Sequence, residues 1–252
     1  MSNNITIALV QTDLIWKNKI VNLDNLKRLV DTITQPIDII ILPELFNTAF
    51  CIDDISLAED KNGITFAFMK EIAQSKNCAV CGSFLFKEDN NIYNRFVFIE
   101  ENYTTFYYDK HYLFSLVNED KQLNFGKQKV VIEYKNWKIQ PFICYDIRFP
   151  AWCQNDDNVD AQIYVASWPQ KRIHHWQTLL QARAIENQCY TVGVNRIGND
   201  FYGNAHNGNS MVYDFAGNLL ANMEDRNGIE IVTLSKENLQ QHKLRYPFWK
   251  DR

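Results

Sequence analysis

No stretch of this chain approaches the ~20 consecutive apolar residues that a membrane-spanning helix needs. Its start, MSNNITIALVQTD, has neither a basic n-region nor a long apolar h-region. These two absences predict a protein with no membrane partner, working in the cytoplasm. Basic residues do not gather into a stripe: 26 lysines and arginines are spread along the sequence against 30 acids, for a formal charge of -4. A surface that tracks phosphates is therefore not expected, and nucleic acid is excluded as a partner. The five histidines form no H-E-x-x-H and no glycine-rich phosphate loop is present, so no motif calls for a metal or an organic cofactor. Linkers, repeats and low-complexity segments are missing as well.

Cysteine is too sparse for a disulfide framework in a chain of 252 residues without a secretory signal, and six free thiols in a reducing compartment are expected instead. Cys78 and Cys81 form one C-x-x-C, with no second pair to complete a zinc site. Both sit in NCAVCGSFLF, which reads as a strand, so their side chains are expected on opposite faces as small buried hydrophobes.

What the sequence does have is apolar material, at 46% of residues, arranged in alternating strand and helix patterns. Strands are predicted at residues 5–10, 39–42, 79–86, 95–99, 104–108, 130–134, 137–143, 162–166, 190–194, 210–213 and 229–233, and helices at 22–33, 65–76 and 174–188. Lys135-Asn136 joins two of these strands as a hairpin, and the second runs straight into Cys144. So many strands with helices interspersed predict an α/β fold, one domain over 1–252, with two layers of sheet covered outside by helices. The terminal LRYPFWKDR, aromatic and charged together, reads as a lid or as a segment reaching onto a partner subunit.

Three apolar strands end in a charged or reactive side chain: IIILPELF in Glu44, TFYYDKHYLF in Lys110 and WKIQPFICYDIRFP in Cys144. Strand ends deliver reacting groups to a shared crevice. A thiol of ordinary pKa ~8.5 needs a base to take its proton or a cation beside its thiolate, and Glu44 and Lys110 are one of each. Attack on an amide would leave an oxyanion, for which Lys110 and the backbone N–H of Tyr145 are donors. Glu119, in LFSLVNEDKQLNFG, is placed to keep Lys110 charged and to help protonate departing ammonia. Taken singly, each residue has a plainer reading: Cys144 as core cysteine, Glu44 as a helix-start carboxylate, Lys110 and Glu119 as solvated surface charges.

Together, LPELFNTAF, DKHYLFSLVNE and CYDIRFP resemble the motifs of the nitrilase, or carbon-nitrogen hydrolase, superfamily. The resemblance runs the length of the chain and is closest to the branch holding the bacterial omega-amidases, echoed in ASWPQKRIHHW, LLQARAIENQCYTVGVNRIG, NGNS and YPFWKD. It implies a four-layer α-β-β-α sandwich, a homodimer formed through one helical face, and no cofactor. It also implies Glu44 as general base, Lys110 as the lysine, Cys144 as nucleophile and Glu119 as the second glutamate. The implied activity is hydrolysis of the terminal amide of a small 2-oxo acid; amidases of deaminated glutathione, N-carbamoyl amidohydrolases, nitrilases and a catalytically silent scaffold are the other readings. Tyr112, VNED and AHNGNS depart from the pattern of near relatives.

A small acid substrate needs a cation. Arg148, four positions past Cys144, and Lys171 and Arg172, after ASWP, are the candidates, with pairing to a nearby acid the plainer reading of Arg148. Trp168 and Phe46 are expected as pocket walls or core aromatics. His174 and His175 open a helix and are not placed in the site.

Overall fold

Side chains alternate along the first strands, and that alternation sets how the sheets stack. In β1 (Asn4–Gln11), Ile5, Ile7 and Leu9 point into the core between two sheets, while Ala8 and Val10 point outward. In β2 (Ile39–Ile41), Ile39 and Ile41 face inward and Ile40 outward. In β3 (Ala79–Glu88) Cys81 faces inward, and Cys78, just before that strand, joins the outer core, so the pair does fall on opposite faces. The same division splits Phe96 and Phe98 from Val97 and Ile99 in β4 (Asn91–Ile99). Each such side chain contributes roughly 1.5–3 kcal/mol when fully buried, and a one-residue slip would exchange the faces.

The computed structural model describes residues 3–251; Met1, Ser2 and Arg252, which the expected domain and terminal segment include, lie outside the described residues. With β5 (Thr105–Asp109) and β14 (Gly228–Ser235), the first sheet has the order β14-β1-β2-β3-β4-β5. The second comprises β6 (Ile132–Tyr134), β7 (Trp137–Ile143), β8 (Ala161–Val165), β9 (Tyr190–Val194), β12 (Met211–Tyr213) and β13 (Leu219–Asn222), in the order β13-β12-β9-β8-β7-β6. In each sheet a parallel trio, β1-β2-β3 or β7-β8-β9, is flanked by antiparallel strands. A separate ribbon joins β10 (Ile197–Asn199) to β11 (Ala205–Asn207).

Helices α1 (Lys19–Asp31) and α2 (Ile64–Lys76) bury Leu23, Leu26, Val30, Phe66, Met69 and Ile72 against the outer face of the first sheet. Two one-turn helices, α3 (Glu119–Gln122) and α4 (Pro150–Cys153), lie near the strand ends. The second sheet is covered by α5 (Ile173–Asn187), which packs so closely that a Cβ on Gly193 would meet Leu180 and Trp176 at 2.4 and 2.7 Å. The result is the four-layer α-β-β-α arrangement, helices outside and two sheets within.

Where the structure departs from the sequence reading, polarity is the reason. The ribbon β10-β11 lies in RIGNDFYGNAHNG, whose glycines and asparagines read as turns. Helix α6 (Lys236–Arg245) has a single buried residue, Leu239, and so no apolar stripe to betray it. The terminal segment folds back on Gln188, which accepts from Trp249 N–H and donates to the Tyr246 carbonyl, and it does not line the catalytic cleft. It is not a lid.

Candidate active site

The parallel strands and β5 run the same way, so their C-terminal ends share one edge. Glu44 follows β2 in a tight turn whose next residue, Leu45, has φ +47° and donates its N–H to Ser83 Oγ at 3.1 Å. That turn settles onto β3 because Gly82 has no side chain: a Cβ there would meet Leu42 and the Phe46 ring at 2.8 and 2.9 Å. Lys110 ends β5, its N–H bonded to the Asn94 carbonyl at 3.0 Å. Cys144 ends β7 at φ +45°, a left-handed conformation costing roughly 1–2 kcal/mol in a residue with a Cβ.

Asp146 holds this cysteine turn. Its buried carboxylate accepts from Ile143 N–H at 3.0 Å, Tyr112 N–H at 2.8 Å and the Tyr108 hydroxyl at 2.7 Å. Burial outweighs these three bonds and pushes the carboxyl up to about 6. The folded protein therefore holds this proton more tightly than the unfolded chain, so the group's stabilising contribution is full in acid and is lost as pH rises through 6. Asp146→Asn removes that dependence and sets an NH2 against a backbone donor. In thermal and urea melts the variant is expected to be less stable than the parent near pH 4, with the deficit shrinking by on the order of 2 kcal/mol by pH 7. A deficit constant with pH would refute the assignment.

The three strand-end residues converge. Lys110 Nζ donates to Glu44 Oε1 at 2.9 Å and to both oxygens of Glu119 at 3.0 and 2.9 Å, and all three residues are at most 1% exposed. Glu44 Oε2 accepts from Ser167 N–H at 2.8 Å. Asn94 Nδ2 bridges the carboxylates, at 2.8 Å to Glu44 and 3.3 Å to Glu119, and Phe114 N–H reaches Glu119 at 2.6 Å. Burial works against the Lys110 ammonium, but the charges of Glu119, Glu44 and Cys144 outweigh it and hold it above the usual lysine range.

The Cys144 thiol is pushed well above its ordinary value by burial and then by the charge of Glu44, against a smaller pull from Lys110 and Ser167 N–H. Of the two ways to activate a thiol, this charge balance suits a base. With the thiol neutral the cluster carries one net negative charge; ionising it freely would make two, whereas passing its proton to Glu44 keeps one.

Cys144 and Lys110 open onto a cavity of about 240 Å³. Tyr145, Arg148, Trp168, Lys171 and Arg172 line it, as do Phe50, Phe114, Ser167 and His206. Cys144 is half-buried, whereas the other five cysteines are fully buried. Arg148 stacks over Trp168 at 4.7 Å and bonds His175 Nδ1 at 3.2 Å; Arg172 lies over Phe114 at 5.5 Å. Neither arginine pairs with a carboxylate among the described residues. Burial and then the charge of Arg172 lower the Arg148 guanidinium. Two guanidinium groups without a carboxylate partner on one small cavity could hold an anion.

Phe46 needs correcting. It is fully buried between Phe68 and Phe84 in the outer core and does not reach the cavity, because the Leu45 turn directs it under β3; Phe50 takes that place on the wall. Glu119 lies behind Lys110 with both carboxylate oxygens on its Nζ, which fits holding the ammonium. The sequence reading missed Asn94, Ser167 and His206. A polar Asn94-Arg95 pair inside the otherwise apolar β4 was the available signal. His206, which burial pushes down to about 4, is neutral at working pH. Asn195 fixes the Ser167-Trp168 segment, accepting from Trp168 N–H at 2.7 Å and donating to its carbonyl at 3.1 Å.

The family model described as carbon-nitrogen hydrolase matches residues 6–243. The omega-amidase YafV of Escherichia coli is 36% identical over 250 residues, 98% of this chain and 96% of that protein. A 2-oxoglutaramate amidase of Bacillus subtilis is 30% identical over 229 residues, 89% of this chain and 88% of that one. Among solved structures, XC1258 from Xanthomonas campestris, a CN-hydrolase superfamily protein with an arsenic adduct in its active site, superposes with a TM-score of 0.96. Its identity is 33%, over 99% of this chain and 97% of that chain.

Proposed function

Because this chain belongs to the carbon-nitrogen hydrolase family, and so is a hydrolase of carbon-nitrogen bonds, we propose that it cleaves the terminal amide of a small 2-oxo dicarboxylate monoamide. 2-Oxoglutaramate and 2-oxosuccinamate are the expected substrates, with Cys144 as nucleophile. The observation that carries this reading is one cavity with Cys144 and its buried Glu44-Lys110 partners on one side and two unpaired arginines on the other. The small volume, below the ~300 Å³ at which pockets for drug-sized ligands begin, favours such a substrate over a tripeptide-sized amide.

In this mechanism the substrate carboxylate sits between Arg148 and Arg172 and its amide carbon lies against Cys144 Sγ. Sγ attacks as its proton passes to Glu44, and the charge moves to the carbonyl oxygen, stabilised by the Lys110 ammonium and the Tyr145 N–H. Collapse of the tetrahedral intermediate breaks the C–N bond, Glu44 returns its proton to nitrogen, and ammonia leaves a thioester on Cys144. Water, losing a proton to Glu44, attacks the thioester; the thiolate leaves and recovers that proton.

Arg148→Ala is expected to raise KM for 2-oxoglutaramate by about 10- to 100-fold, the loss of one charge-assisted contact, with a much smaller change in kcat. Arg148→Lys should recover only part of it, since an ammonium cannot reproduce the stacked planar fork. Steady-state ammonia release checks both, and an unchanged KM would move the carboxylate site elsewhere. The functional reading as a whole is tested by ammonia release from the two 2-oxo amides beside glutamine, asparagine and an N-carbamoyl amino acid. Rapid release from the 2-oxo amides alone supports it; preference for any of the others replaces it.

A further inference from the structure

An ammonium has three protons, and Lys110 Nζ has three carboxylate oxygens within 3.0 Å: Glu44 Oε1 and both oxygens of Glu119. At rest these buried carboxylate oxygens share the ammonium's protons. An oxyanion forming at Cys144 competes with them for those protons, and an ionised, buried oxygen that loses part of its donor is costly. Yet each of those three oxygens has a second donor in place. Asn94 Nδ2 serves Glu44 Oε1 and Glu119 Oε1, and Phe114 N–H serves Glu119 Oε2.

The Asn94 amide can face only one way. Turned over, its Oδ1 would confront both carboxylates, so the NH2 orientation is fixed by its neighbours. Asn94 is fully buried, and its carbonyl also holds the Lys110 backbone. On the cavity wall the Phe50 ring lies 5.5 Å from the ammonium.

We propose that Asn94 is a positioning residue whose NH2 group keeps Glu44 and Glu119 satisfied when Lys110 turns a proton from them to the oxyanion. It touches no substrate; it lets the lysine serve the transition state without leaving an orphaned carboxylate behind. The inference rests on the reading of Cys144 as an acyl-transfer nucleophile.

Two reactions at Cys144 separate this role from a merely structural one. With p-nitrophenyl acetate, Sγ–C bond formation creates an oxyanion before the C–O bond breaks and p-nitrophenolate leaves, giving an acetyl thioester and a burst. With iodoacetamide, sulfur displaces iodide and no oxyanion forms. Both are followed by stopped-flow absorbance or intact mass against a Cys144→Ala control. In Asn94→Ala the burst rate constant is expected to fall about 10- to 100-fold, as for loss of an oxyanion donor, while alkylation slows by less than about 3-fold. Asn94→Ser, which restores one donor, should recover part of the burst, and it serves alone if the alanine variant does not fold. A burst within about 3-fold of the parent in a folded variant, or equal slowing of both reactions, overturns the proposal. A parent enzyme that alkylates but gives no burst refutes the acyl-transfer reading, and the role of Asn94 falls with it.

Discussion

Cys144→Ala protein is expected to fold as the parent does and to release ammonia at least about 10⁴-fold more slowly, the scale on which hydrolases respond to loss of their nucleophile. The size of the effect follows from the absence of a substitute thiol: the other five cysteines are buried and none of them lines the cavity. Folding survives because the alanine loses one sulfur on a half-open cavity wall while keeping the turn that Asp146 holds. The alanine also keeps φ near +45°, so the backbone strain stays. Cys144→Gly, equally inactive, should therefore be more stable than Cys144→Ala by about 1 kcal/mol in urea unfolding, since glycine adopts that conformation freely. The strain is held in place for the chemistry, and removing the chemistry makes it removable. A glycine variant no more stable than the alanine variant would show that the turn is unstrained.

Lys110→Met is expected to do what the cysteine variant does not, and damage the fold as well as the activity. It removes one positive charge from between two carboxylates that are fully buried and leaves them facing each other. Breaking a buried pair from one side costs about 3–5 kcal/mol, a large share of the 5–15 kcal/mol that holds an ordinary domain together. The sign of the pH dependence is fixed too. Without the ammonium a proton is the only available counter-charge, so the folded variant binds protons more tightly than its unfolded chain and gains stability relative to the parent as pH falls. Urea midpoints at pH 5 and 8 would show the gap widening with pH. A variant as stable as the parent would mean that water, not Lys110, neutralises the two glutamates.

How much of this was legible in the sequence depended on whether a residue's role repeats along the chain or arises from contacts across it. Ile5, Ile7 and Leu9 against Ala8 and Val10 repeat with the strand period, so strands and two helix-covered sheets could be read from pattern, while the four-layer order came from the family resemblance. The Lys135-Asn136 turn was legible because both residues take positive φ, +48° and +66°, which a two-residue hairpin of primed type requires. Glu44, Lys110 and Cys144 stood out because each ends an apolar strand in a motif of the same family. Phe46 and Phe50 are both aromatic and both follow Glu44; which one meets the cavity is decided by the φ of Leu45 and the missing side chain of Gly82, and pattern cannot show either. Asn94 lay hidden for another reason: its partners, Glu44 and Glu119, are 50 and 25 residues away.

The central claim, a thioester on Cys144 formed with loss of ammonia, is tested most directly by intact-mass and peptide analysis of protein quenched during turnover of 2-oxoglutaramate. The account predicts an adduct of substrate minus ammonia on the peptide that carries Cys144, absent from Cys144→Ala and stabilised in Glu44→Gln if any turnover remains. Ammonia release by Cys144→Ala, or turnover with the adduct on another residue, would contradict it.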